Sequence, residues 1–200
     1  MEMADKRRRS QVDRGGKKGI RSFVAVEIPA SIRDEIAVVQ REIDLPGVRL
    51  VNPDLIHVTV KFLGDVPLPK VDRVVEALRT VERPAFTARV AGIGAFPGSS
   101  IRVVWMGVEG DFEQLFSAVE EALVPLGFEM EGRRFTSHAT IARVKSSSPE
   151  TTAILASKLE PFKEIDLGEF DAEEFILKKS TLTPGGPIYE DVAAFPLSRP

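Results

Sequence analysis

Apolar and polar residues alternate with a period of two in Leu55–Leu63 (LIHVTVKFL) and again in Phe135–Val144 (FTSHATIARV), the mark of strands with one buried face. In each stretch a histidine and a threonine two apart share one face, and apolar residues take the other. The run Ile20–Ile28 predicts a buried strand stopped by Pro29, and further strands are predicted over 48–51, 86–93, 101–108, 163–170, 173–182 and 188–195. Helical spacing marks four other segments. Ser31 reads as the N-cap of the first, with Ile32, Ile36, Val39 and Ile43 as its stripe and Pro46-Gly47 as its end. Pro69 opens the second, which buries Val71, Val74, Val75, Leu78 and Val81. Asp111 opens the third, with Phe112, Leu115, Phe116, Val119 and Leu123 inward, and Ser146–Pro149 cap a fourth through Leu159. Gly64-Asp65 is expected to close the first histidine strand, and Gly92, Gly94, Pro97 and Gly98 to form a loop. This alternation in two similarly built halves argues an α/β or α+β domain of two lobes.

Length and charge add boundaries to this picture. Two hundred residues suffice for one domain with a sizeable core. Residues 1–18 carry seven basic side chains against three acidic ones, a net +4, which leaves −7 on the remainder for the overall −3. The expectation is a basic, disordered arm over 1–18 and a single domain over 19–200, with the arm either a solvated tail or a salt-sensitive tether to RNA phosphates. The chain has no cysteine, so disulfides, thiolate metal sites and cysteine nucleophiles are excluded. No apolar run approaches the roughly 18 residues of a membrane span, and no signal-type segment follows the basic start, so a cytoplasmic protein is expected.

The two stretches hold both histidines of the chain, in matching His-x-Thr-x patterns, His57-Val-Thr59-Val and His138-Ala-Thr140-Ile. Two imidazoles and two hydroxyls suit the opening of a cyclic phosphate ester. A neutral imidazole takes a proton from water while a protonated one gives a proton to the departing oxygen, and a pKa near 6.5 lets histidine serve in either role. The hydroxyls donate to phosphate oxygens without fixing either histidine's charge. Nothing in this chemistry requires a metal or other cofactor, and two histidines without a third ligand make a poor zinc site.

On these motifs the sequence resembles the 2H phosphoesterase superfamily, and within it the LigT-like RNA 2′,3′-cyclic phosphodiesterase family, also called 2′-5′ RNA ligases. Arg21-Ser-Phe-Val-Ala-Val-Glu-Ile-Pro29, His57-Val-Thr-Val-Lys-Phe-Leu-Gly64, Arg134-Phe-Thr-Ser-His-Ala-Thr-Ile-Ala-Arg143 and Gly186-Pro-Ile-Tyr189 before Phe195-Pro-Leu197 run in the family's order. Ser137 stands where the family often has proline; it points to the opposite face from His138. The resemblance implies an α+β fold of two pseudo-symmetric lobes, each an antiparallel sheet with outer helices, facing across a cleft. It implies hydrolysis of RNA or nucleotide 2′,3′-cyclic phosphate to a 2′-phosphomonoester. For in-line displacement we assign His57 as proton donor and His138 as proton acceptor, with Thr59 and Thr140 expected on the phosphate oxygens. The alternatives are ligation by the reverse reaction and a binding module without turnover. A monomer is expected.

Four further residues are candidates for the substrate. Lys61 is in phase with His57 and Thr59 and is expected to add charge beside them, whereas Phe62, in the opposite phase, is expected in the core. Arg143 is out of phase in a regular strand and reaches the phosphate only through a bend, although resemblance favours a phosphate role. Arg134, in phase with His138, is expected at the cleft entrance, and Tyr189, the single tyrosine, is expected either to stack on a base or to pack.

Overall fold

In a computed structural model, which describes residues 19–97, 100–132, 134–145 and 148–198, the two histidine strands lie side by side at the centre of one antiparallel sheet. The basic segment 1–18, Gly98 of the expected loop, and Ser146 and Ser147 of the expected cap lie outside the described residues.

The strands are β1 (Gly19–Glu27), β2 (Val48–Leu50), β3 (His57–Pro67), β4 (Phe86–Phe96), β5 (Val103–Glu109), β6 (His138–Val144), β7 (Asp166–Ala172), β8 (Glu174–Thr183) and β9 (Gly186–Pro196); the helices are α1 (Ala30–Glu42), α2 (Leu68–Arg79), α3 (Phe112–Leu123) and α4 (Pro149–Leu159). The order across the sheet is β7-β4-β5-β6-β3-β1-β8-β9, with β2 also paired to β6. It divides into β3-β1-β8-β9 and β6-β5-β4-β7, which meet at a single register pair, Val58 with Ala139. The two lobes of the α+β expectation are these half-sheets. Each takes its third strand from the far side of the chain: β4 follows α2 but joins β5, and β8 follows β7 but joins β1.

The apolar stripes cover one side of this sheet. Ile32, Ile36 and Val39 of α1, Val74 and Leu78 of α2, Phe112, Leu115, Val119 and Leu123 of α3, and Leu155 and Leu159 of α4 are buried with the inward strand residues. Helices cross between halves, α3 packing against β3 and α1 against β6 and β7. Gln40 of α1 secures one crossing, its buried amide donating to the carbonyls of Val51 at 2.7 Å and Ile141 at 2.8 Å. No described helix is long and apolar enough to cross a membrane.

Several local expectations change. Pro29, not Ser31, occupies the N-cap of α1, and no side chain caps it, because proline's fixed φ and missing N–H suit a helix entry. Ser148 does cap α4, accepting from the Thr151 N–H at 3.0 Å. Gly64 does not end β3; it takes φ +68° within the strand, which runs on to Pro67. Gly92 and Gly94 lie inside β4 rather than in a loop. Gly92 sits in a register shift at φ +71°, and the Trp105 ring lies so close over Gly94 that a Cβ there would fall 2.2 Å from it.

Two bulges set which residues reach the open face. Val24 pairs with Lys61 and Ala25 with Thr59, so Val60 is the extra residue in β3. In β6, Ala142 pairs with Val104 and Thr140 with Trp105, so Ile141 is the extra residue. Past each bulge the alternation inverts, and in β3 a second extra residue, Leu63, between the pairs Phe23–Phe62 and Ser22–Gly64, restores it. Val60 and Lys61 both turn to the helix side, as do Ile141 and Ala142, and Phe62 and Arg143 turn to the face that carries the histidines.

Candidate active site

The antiparallel pair Val58–Ala139 fixes the site, since the flanking residues of both strands lie on the opposite face from it. His57 stands across from Thr140, and Thr59 across from His138. The histidines are therefore diagonal neighbours, roughly 7–8 Å apart in a regular ladder. That leaves room between them for a tetrahedral group.

Both rings are oriented alike. His57 Nδ1 lies 2.7 Å from the Leu55 carbonyl and His138 Nδ1 lies 2.7 Å from the Thr136 carbonyl. A carbonyl only accepts, so each Nδ1 carries the proton and each Nε2 is left with its lone pair. His57 Nε2 accepts from the Thr59 hydroxyl at 3.1 Å. Aromatic rings hold each imidazole. Phe23 stacks on His57 at 4.9 Å between centroids, and Tyr189 meets His57 edge-on at 5.4 Å and Phe23 at 5.0 Å. Phe96 and Trp105 meet His138 edge-on at 5.4 and 6.1 Å.

Electrostatics is defined most clearly at His57. Burial pulls its pKa down to about 4; the Leu55 hydrogen bond opposes this, the Lys178 cation adds to it and Glu27 works against it. Lys178 is itself buried, which disfavours its charge, but Asp191 at 2.6 Å and Glu27 at 2.5 Å raise its pKa and keep it an ammonium. These residues, with Asp54 and Tyr189, line a cavity of about 220 Å³ beside His57. The depressed His57 pKa has a stability consequence. Between pH 6.5 and about 4 the unfolded chain takes a proton that the native imidazole refuses, so stability is full above 6.5 and falls as pH drops through that window. The loss is on the order of 3 kcal/mol. Urea unfolding at pH 7 and pH 4.5 is expected to show a smaller loss for His57→Gln than for wild type, and parallel losses in the two proteins would contradict the burial of a neutral ring.

The other candidates are placed unequally. Arg143 is exposed on the histidine face, with no hydrogen bond or ion pair to any described residue; the bulge at Ile141 is the bend that its phase required. Lys61 is not beside His57. It is 3 % exposed on the helix side, its ammonium 2.5 Å from Glu120 and 3.0 Å from the Glu129 carbonyl. Phe62, expected in the core, is 63 % exposed on the histidine face. Arg134 lies before β6, exposed on the loop that leads into His138, where strand phase no longer applies. Tyr189 is half-buried against His57; burial raises its pKa, with Arg143 and Arg21 opposing. Lys178, Glu27 and Phe23 escaped the sequence reading, although Phe23 and Glu27 fall in phase on β1 and Lys178 faces Phe23 across β8. No group of three or more histidine, aspartate or glutamate side chains is placed to hold a metal among the described residues.

Paired His-x-Thr strands at the junction of two matching half-sheets define a two-histidine phosphoesterase. The chain belongs to the family described as LigT like Phosphoesterase, whose model matches residues 26–105 and 107–189, one segment holding each histidine. It is 38 % identical over 173 residues to an RNA 2′,3′-cyclic phosphodiesterase of Methanocaldococcus jannaschii, covering 86 % of this chain and 97 % of that protein. With the Archaeoglobus fulgidus protein of the same name it shares 39 % over 180 residues, covering 88 % and 99 %. Among solved structures, TT0787 of Thermus thermophilus superposes with a TM-score of 0.77 at 27 % identity, covering 90 % and 99 %. Escherichia coli LigT complexed with 3′-AMP superposes with a TM-score of 0.75 at 24 % identity, covering the same shares.

Proposed function

We propose that this protein hydrolyses the 2′,3′-cyclic phosphate at an RNA end to a 2′-phosphomonoester, with His57 as proton donor and His138 as proton acceptor. The observation that carries this reading is the diagonal pair of imidazoles, each tied through Nδ1 to a backbone carbonyl so that Nε2 faces the cleft. The name shared by the Methanocaldococcus and Archaeoglobus relatives supports the substrate class.

Water, deprotonated by His138 Nε2, attacks phosphorus in line with the 3′ oxygen. The new P–O bond forms as the P–O3′ bond breaks, and His57 Nε2–H protonates O3′ to give the 3′ hydroxyl. Thr59 and Thr140 donate to the nonbridging oxygens, and Arg143 offsets the charge that builds on them. His57 is neutral at pH 7 in the free protein, so its acid role relies on the phosphate anion, which raises its pKa on binding. Tyr189 packs His57 in place and borders the substrate, and Arg134 sits at the approach to His138. Lys61, buried behind the sheet, has no part in the reaction. Residues 19–200 act as one bilobal domain, a monomer in the cytoplasm.

Phosphorus NMR of a nucleoside 2′,3′-cyclic phosphate incubated with the protein in EDTA tests the reading. The 2′-monophosphate alone is expected. A 3′-monophosphate would reverse the leaving group, loss of turnover in EDTA would indicate a metal, and binding without turnover of this substrate or a cyclic-phosphate-ended oligonucleotide would leave a binding module.

A further inference from the structure

Two side chains on the histidine face have no task in this chemistry. In β1 Arg21 pairs with Asp65 and Phe23 with Phe62, the extra residue between them, Leu63, lying on β3, so Arg21 and Phe23 share a face of the regular strand, and Phe23 stacks on His57. Arg21 is exposed there with no hydrogen bond or ion pair to any described residue, and its charge reaches the Tyr189 hydroxyl. Phe62 pairs with Phe23 in register, its ring centroid 6.1 Å away, and is 63 % exposed because the bulge at Val60 has turned it out of the core. Arg21 and Phe62 are thus diagonal neighbours just beyond the ring that holds the catalytic imidazole.

The ground beside Phe62 is open. Past Val58 the edge of β3 has no strand partner on the β6 side among the described residues, and a groove of about 760 Å³ runs there between Phe62, Phe128, Met130 and Gly132. Glu129 and Glu131 also line it, which makes it hostile to a phosphate but not to an uncharged base. A guanidinium unpaired among the described residues, beside an exposed aromatic ring, is the pairing that single-stranded RNA recruits, one for a phosphate and the other for a base.

We propose that Phe62 and Arg21 form a subsite for the nucleotide preceding the cyclic end, Phe62 stacking on its base and Arg21 pairing with the phosphate that joins it to the terminal ribose. The inference rests on cyclic-phosphate hydrolysis at the histidine pair and names its substrate as an RNA strand end rather than a free cyclic mononucleotide.

The test compares kcat/KM for a nucleoside 2′,3′-cyclic phosphate and for a dinucleotide with the same cyclic end, in wild type, Phe62→Ala, Phe62→Tyr, Arg21→Gln and Arg73→Gln. Arg73 is an exposed arginine on α2 and controls for net charge. Stacking at about 1–3 kcal/mol per base predicts a dinucleotide advantage of roughly tenfold or more in wild type. Phe62→Ala and Arg21→Gln are each expected to remove most of that advantage while the nucleoside substrate turns over as before; Phe62→Tyr and Arg73→Gln are expected to keep it. Phe62 is exposed, so its removal leaves no core cavity. Equal kcat/KM for both substrates in wild type, an advantage that survives both variants, or its loss in Arg73→Gln would overturn the subsite. Absence of turnover with either substrate would instead overturn the hydrolase reading.

Discussion

His57→Ala and His138→Ala are each expected to lower kcat on a nucleoside 2′,3′-cyclic phosphate by about a hundredfold or more, the usual worth of one positioned acid or base. The double variant is expected to fall less than the product of the two, because the proposed acid and base would act in one displacement. Residual activities carry more information than their size. With His57 gone, the remaining imidazole is expected to work as a base, so the residual rate of His57→Ala rises with pH. With His138 gone, the remaining imidazole must be protonated, so the residual rate of His138→Ala falls as pH rises through the titration of His57. Opposite slopes would exchange the two roles. The wild-type profile cannot make this distinction by shape, since a pair with its roles exchanged gives the same bell, and its two apparent pKa values belong to the pair. Activity within a few-fold of wild type in either variant would remove that histidine from the mechanism.

The histidines and threonines were legible because period-two alternation holds from His57 to Val60 and from His138 to Ile141, and because antiparallel pairing at Val58 and Ala139 brings equal phases together. Legibility ends at the bulges. The extra residue at Val60 inverts the side chains that follow it until a second one, Leu63, restores the phase, so counting by twos puts Lys61 on the cleft and Phe62 in the core, the reverse of what the structure holds. The same inversion turns Arg143 toward the site, at the position in its half that Phe62 occupies in the other. Neither bulge carries a glycine or proline to announce it, the extra residues being Val60 and Ile141. The strand count and helix stripes followed from periodicity, but the exchange of β4 and β8 between halves did not, because long-range pairing leaves no mark in local pattern. Glu27, Lys178 and Asp191 form their ionic group only because β1, β8 and β9 are adjacent.

Lys61 separates the strand-phase reading from the structure with a large effect. Its ammonium and the Glu120 carboxylate are each 3 % exposed; Glu120 also accepts from the Glu131 N–H at 2.8 Å, and Lys61 donates to the Glu129 carbonyl. Removing one member strands a charge that burial has stripped of water. Lys61→Met is therefore expected to lower unfolding free energy by about 3–5 kcal/mol in urea titration. Adding Glu120→Gln removes the stranded charge while keeping an acceptor for the Glu131 N–H, so the double variant is expected to regain much of the loss, as buried pairs replaced together often do. The kinetic expectation is the opposite of that for the histidines. At a temperature where Lys61→Met remains folded, kcat and KM are expected near wild type, because the side chain stands behind the sheet and the cleft does not feel its loss except through the 127–132 segment it helps pin. A stable Lys61→Met protein with strongly reduced kcat would put the ammonium on the phosphate after all, and with it would fall the bulge at Val60 that assigns Phe62 and Lys61 to opposite faces.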